Sequence, residues 1–227
     1  MITFLFSGLL LVAGACSGVN ASGPQANASS DTTDEQTTPL TRTAPDTSLS
    51  KAYFAGGCFW CTEASFERIE GVQAVVSGYS GGPEKNPTYK QVANGLTGHA
   101  ETVAIYYDSS VVDYPTLLDV FFVAHDPTTL NRQGPDVGTQ YRSAIFYSNE
   151  REKQLAEAAI AKTDESSRYS DPVVTQLDAF EVFYDAEDYH QGYYELNPNA
   201  GYVYNVSRPK VEKVEKEFKG ILKEAYK

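Results

Sequence analysis

The sequence predicts an α+β domain, and three observations carry that expectation. Candidate strands and helices follow one another from about residue 51 without the regular β-α-β rhythm that builds a parallel doubly wound sheet. The stretch 99–107 alternates apolar and polar positions as a strand does. Apolar residues make up 41% of the chain, enough for a sizeable core once the polar front of the chain is set aside.

Residues 51–55 read as a short strand running into Gly56-Gly57. A helix is predicted over 58–69, with Phe59, Phe66 and Ile69 as apolar positions and Glu63 early in it. Residues 72–79 form a strand that ends in Ser80-Gly81-Gly82-Pro83, and a short helix follows Pro87. After the strand 99–107 comes an apolar helix over 114–125, with Pro115 near its start where a missing N–H is harmless. A polar loop spans 126–142, then a strand at 143–147 and an amphipathic helix at 149–163 capped by Asn149 or Ser148. Residues 173–184 are strand-like with a bend at 178–180, and 187–196 form a helical turn. A charged helix begins after Pro209 and covers 210–226.

Charge and composition narrow the function. A net charge of -12 excludes a nucleic-acid binder, which needs a basic footprint to release counterions. His99, His125 and His190 show no zinc-ligand spacing with one another or with cysteine, so no metal is expected. The sixteen tyrosines, concentrated in the second half, either fill strand faces or line a cleft that is partly wet and partly apolar.

The front of the chain reads as an address and a tether. Residues 2–15 are almost wholly apolar and stop at Cys16, a length that suits a signal-peptide core and is too short to span a bilayer. The stretch Leu11-Val12-Ala13-Gly14-Ala15-Cys16-Ser17 is similar to the lipobox of bacterial lipoproteins, although no Lys or Arg precedes the apolar run. That similarity implies cleavage before Cys16 and lipidation of it, the alternatives being simple cleavage or an uncleaved anchor. Residues 17–50 hold scarcely an aliphatic side chain and are expected to remain a disordered tether. The organisation is thus a signal at 1–16, a tether at 17–50 and a catalytic domain at 51–227, exported to the bacterial cell envelope as a periplasmic or membrane-anchored monomer.

With Cys16 carrying lipid, Cys58 and Cys61 remain, and a C-x-x-C pair in an exported protein points to redox chemistry. In Gly56-Gly57-Cys58-Phe59-Trp60-Cys61 a strand ends, glycines turn the chain, and Cys58 falls in the first turn of a helix. The helix terminus there is expected to favour its thiolate. The segment Gly57-Cys58-Phe59-Trp60 resembles the signature of the peptide methionine sulfoxide reductase A family. Further matches follow in order: Asn86-Pro87-Thr88-Tyr89, Gly98-His99-Ala100-Glu101, Asp136 through Ser143, and Ala186 through Gln191.

That resemblance covers roughly residues 51–212 and implies a two-layer sandwich around a mixed sheet, a ferredoxin-like core with long loops. It implies that Cys58 is the nucleophile that attacks the sulfoxide sulfur of the S epimer. Phe59 and Trp60 match the walls around the substrate methyl group, and Glu101 the acid beside the sulfoxide oxygen. Tyr89 and Tyr141 match hydroxyls that bind that oxygen, Asp136 supports the pocket, and His190 and Asp188 support the site from behind. Oxidised methionine, free or in peptides and proteins, is the implied substrate. No cofactor is bound, and an external thiol, thioredoxin or dithiothreitol, is the implied reductant.

Chemistry agrees with the assignment of Glu101. It shares strand parity with Val103 and Ile105, so its carboxyl is expected on an apolar face with a raised pKa, able to donate a proton near neutral pH. Many members of the resembled family carry a resolving cysteine near the C-terminus, where this chain has Gly201-Tyr202-Val203-Tyr204-Asn205 and no cysteine. Cys61 stands three residues beyond Cys58, on the same side of a helix, and closure needs a modest distortion of the first turn. Cys61 is therefore read as the resolving cysteine, the alternative being direct reduction of a Cys58 sulfenic acid by an external thiol. Two rival functions fit the sequence less well. A thioredoxin-like disulfide oxidoreductase explains none of the downstream motifs, and a non-enzymatic lipoprotein binding module has no need of Cys58.

Overall fold

The computed structural model describes residues 48–227. The expected signal, Cys16 and all but the last three residues of the expected tether lie outside the described residues.

Strand β1 (Ser50–Gly56) leads into helix α1 (Phe59–Glu67), and β2 (Val72–Ser80) follows. The short helix α2 (Tyr89–Ala93) precedes β3 (Ala100–Tyr107), and helix α3 (Tyr114–Ala124) comes after it. A small ribbon of β4 (Arg132–Gln133) and β5 (Asp136–Val137) leads to β6 (Ser143–Tyr147) and helix α4 (Glu150–Asp164). Strands β7 (Gln176–Ala179) and β8 (Phe183–Asp185), the one-turn helix α5 (Tyr193–Leu196) and helix α6 (Arg208–Glu217) complete the main elements.

The large sheet runs β7-β6-β1-β3-β2-β8. Only the β6–β7 pairing is parallel, so the sheet is mixed. The units β1-α1-β2 and β3-α3-β6 interleave, with β3 seated between β1 and β2, which makes the α+β class plain.

Side-chain alternation sorts the core into two layers. Phe54, Tyr79, Val103 and Ile145 join the helices in the main cluster, while Tyr53, Val76, Ala104 and Phe146 build a smaller cluster on the other face. A bulge between Val72 and Ala74 shifts the parity of β2, so that Val72 and Val75 both reach the main cluster. Phe180 stacks on Tyr53 at 3.8 Å and closes the second face, so β3 is buried along both sides.

Asn149 rather than Ser148 caps α4, its Oδ1 accepting from Glu152 N–H at 2.9 Å. Three expectations need correction. The stretch 173–184 is two strands: β7 pairs with β6 and β8 with β2, at opposite edges of the sheet, so the chain must leave the ladder between them. The loop 126–142 contains the β4–β5 ribbon and a 3₁₀ turn, Thr139–Tyr141. The C-terminal helix starts earlier and ends sooner: a π-helical turn, Val203–Ser207, runs into α6, which stops at Glu217. Beyond it Leu222 is drawn into the core beside Ile69, a burial that a continued helix would prevent.

Arg68, buried at the end of α1, ties that helix to its neighbours. Its guanidinium meets Glu195 of α5 at 2.9 Å and Glu215 of α6 at 2.5 Å, and it donates to the Ala64 carbonyl. Removing either carboxylate partner leaves a buried cation short of charge compensation.

Candidate active site

Gly57 makes the turn out of β1 at φ +89°, and a Cβ there would lie 2.4 Å from Cγ of Gln133. Only glycine meets both the backbone and the space requirement. Cys58 then caps α1 (φ -55°, ψ 122°), its carbonyl accepting from Cys61 N–H at 3.2 Å. It precedes the first turn rather than lying within it. Phe59 N–H, a free helix-terminal donor, points to Oε2 of Glu101 at 3.1 Å.

A cavity of about 320 Å³ opens above this turn, lined by Cys58, Phe59, Trp60, Tyr89, Glu101, Asp136 and Tyr141, together with Tyr193 and Tyr202. Seven residues drawn from four separated motifs thus meet at one place. Glu101 is 2% exposed. Burial, aided by the charges of Asp136 and Cys61, pushes its pKa up to about 8 against the opposing bond from Phe59 N–H. The carboxyl is therefore protonated at neutral pH.

Burial works against the expected Cys58 thiolate. Burial pushes the thiol well above its ordinary pKa, and the bond to Cys61 and the neighbouring Glu101 push the same way. The helix-terminal N–H that was expected to stabilise the thiolate serves Glu101 instead. Cys61 lies outside the cavity lining, 2% exposed, and its pKa falls to about 7. The bond from Cys58 is the largest cause, followed among the favourable influences by the charge of Lys210 and by Ser207. Both thiols are free.

Aromatic rings fix the walls. Tyr193 stacks on Trp60 at 3.8 Å with 13° between the planes, and Tyr202 meets Trp60 edge-on at 5.7 Å. Trp60 Nε1–H donates to Nδ1 of His190 at 3.2 Å, which puts the imidazole proton on Nε2. Burial lowers the His190 pKa, so the ring is neutral and can accept that bond.

Residues 50–221 match the family model described as peptide methionine sulfoxide reductase. The chain belongs to that family. Peptide methionine sulfoxide reductase MsrA 1 of Rhodopirellula baltica is 56% identical over 74% of this chain and 86% of its own length. Peptide methionine sulfoxide reductase MsrA of Natronomonas pharaonis is 52% identical over 74% of this chain and 94% of its own. Among solved structures, methionine sulfoxide reductase A of Corynebacterium diphtheriae is 34% identical with a TM-score of 0.59, covering 67% of this chain and 77% of that one.

Within this reductase the carboxylates before His190 part company. Asp188 is exposed, whereas Glu187 accepts from Tyr79 hydroxyl and from Tyr89 N–H, both at 2.9 Å. The inward carboxylate is thus Glu187, because adjacent residues entering a 3₁₀ turn point in different directions. The sequence reading also missed three residues. Tyr193 and Tyr202 were hidden in the general richness of tyrosine, although their clustering over 189–204 was a usable signal. Tyr202 bonds to Asp136 through its hydroxyl and reaches the Cys58 thiol. Glu63, buried in α1, accepts from Ser77 hydroxyl and from Gly192 N–H, which anchors the loop that delivers His190 and Tyr193.

Proposed function

We propose that the reductase acts on the S epimer of methionine sulfoxide, free or within peptides and proteins, by attack of the Cys58 sulfur on the sulfoxide sulfur. Phe59 and Trp60 enclose the methyl group, Tyr89 and Tyr141 hold the oxygen, and Asp136 orients Tyr202. Neutral Glu101 gives its proton to the oxygen and takes up the thiol proton of Cys58 as its sulfur attacks; the sulfoxide S–O bond breaks as the oxygen passes to Cys58. The net change moves one oxygen: Cys58 becomes a sulfenic acid, oxidised by two electrons, and the sulfoxide becomes a thioether. The observation that carries this reading is a carboxyl kept neutral by burial in the same cavity as the Cys58 thiol.

Mass spectrometry of a peptide carrying the S sulfoxide, incubated with the protein and dithiothreitol, is expected to show loss of one oxygen. The R epimer should persist, and Cys58→Ser should abolish the reaction. Reduction of the R epimer at an equal rate would remove the stereochemical assignment.

Cys61 acts in this reading as the resolving thiol, and a thioredoxin-type reductant reopens the disulfide. Cys61→Ser is expected to reduce about one equivalent of sulfoxide per enzyme and then to stall with thioredoxin. Full thioredoxin-driven turnover in that variant would assign resolution to the external thiol. The apolar run ending at Cys16 supports export and lipid anchoring at the bacterial cell envelope.

A further inference from the structure

Cys61 is not among the residues that line the substrate cavity, and besides Cys58 its sulfur meets the start of α6. Its Sγ lies 3.1 Å from the Oγ of Ser207, and both residues are buried. Ser207 closes the π-helical turn Val203–Ser207, an irregularity that sets its hydroxyl against α1 just before α6 begins. Three residues further on, the Nζ of Lys210 is buried with no hydrogen-bond partner among the described residues. Its charge reaches both Cys61 and His125.

A buried ammonium without a partner is costly, and lysines are seldom buried unless paired. His125 is no partner for it. Burial holds that ring neutral with a pKa of about 4, and both its nitrogens are engaged, by the Phe121 carbonyl and the Ser143 hydroxyl, each at 2.7 Å. The other ionisable groups that act on the thiol pair belong to the cavity. Asp136 on β5 is bonded to Tyr202, and Glu101 on β3 is neutral and bonded to Phe59 N–H. Among the groups that act on the thiol pair, the anion left for Lys210 is the one that Cys61 can form.

We propose that Ser207 and Lys210 form a niche that holds Cys61 as a thiolate, ready to resolve oxidised Cys58. The proposal rests on the reading of Cys61 as the resolving thiol. In the resolving step the Cys61 thiolate attacks the Cys58 sulfenic sulfur. The S–S bond forms, the S–O bond breaks, and hydroxide departs and takes up a proton as water. Cys61 is oxidised and the sulfenic sulfur reduced, both ending as disulfide. Lys210 and Ser207 transfer nothing; they hold the charge before attack. The Cys61 pKa falls to about 7 chiefly through the bond from Cys58, and Lys210 and Ser207 push it the same way.

The test uses the full chain with Lys210→Met, Lys210→Arg and Ser207→Ala. In a Cys58→Ser background, the pH midpoint for alkylation of Cys61 is expected to rise by about one unit in Lys210→Met and to stay near native in Lys210→Arg. With Cys58 present, release of the first equivalent of reduced methionine should keep its native rate. Disulfide formation at pH 7 should slow about fivefold in Lys210→Met, as a one-unit rise from about 7 cuts the thiolate fraction by that factor. Should Lys210→Met fail to fold, Ser207→Ala carries the same measurements, with a smaller upward midpoint shift expected. An unchanged midpoint together with native disulfide formation in the folded variants overturns the niche. Full thioredoxin turnover in Cys61→Ser would instead overturn the resolving role, while the alkylation midpoint would still decide whether the niche exists.

Discussion

Glu101→Gln separates the cost of burying a charge from the chemistry that the charge-neutral acid performs. Glutamine keeps the shape and can still meet Phe59 N–H through its amide oxygen, but it neither ionises nor transfers a proton. Moving the glutamate pKa from 4.5 to about 8 corresponds to about 5 kcal/mol of ionisation free energy, at about 1.4 kcal/mol per unit. The folded state holds this proton to higher pH than the unfolded chain does. Stability linked to Glu101 is therefore fully present below pH 4.5, is lost as pH rises, and levels off above about pH 8. Between about pH 5 and pH 9 the native protein should lose about 4 kcal/mol more than Glu101→Gln, as urea denaturation at several pH values will show. Titrating groups that do not feel Glu101 are common to both proteins and cancel in the comparison. In single-turnover kinetics the variant should be slower by about 10²–10⁴-fold, and the native alkaline limb near pH 8 should be absent from it. Parallel stability curves, or a variant within about threefold of the native rate with its alkaline limb intact, would refute the reasoning. The proton would then come from another group, with Tyr89 and Tyr141 the next to test.

Gly57→Ala forces a side chain into a left-handed backbone and against Gln133, whose amide is held by Asp126, so a loss above about 2 kcal/mol is expected in urea denaturation. Tyr202→Phe removes the hydroxyl that bonds Asp136 and lowers the Cys58 pKa. In a Cys61→Ser background the alkylation midpoint of Cys58 should therefore move upward, and an unchanged midpoint would exclude that contact. Cys16→Ser should release the protein from membranes into the soluble fraction of an expressing cell, and unchanged membrane partition would dispose of the lipid anchor.

The sequence by itself determined the elements whose signal is local. Alternation marked β3, the cap residue and apolar face marked α4, and Gly56-Gly57 before Cys58 marked the strand-to-helix turn. Through its resemblance to a known family it also named seven of the nine residues lining the cavity, because they sit in short motifs that are legible wherever they fall along the chain. Tertiary structure alone decided the rest. Whether 173–184 formed one strand or two depended on which sheet edges were unpaired. Whether Glu187 or Asp188 turned inward depended on donors brought from β2 and α2. The protonation of Cys58, Cys61 and Glu101 depended on burial and on charges up to 149 residues distant in the chain, as with Cys61 and Lys210. Desolvation and Coulomb energies act through space, so a one-dimensional pattern can nominate an ionisable group but cannot set its charge.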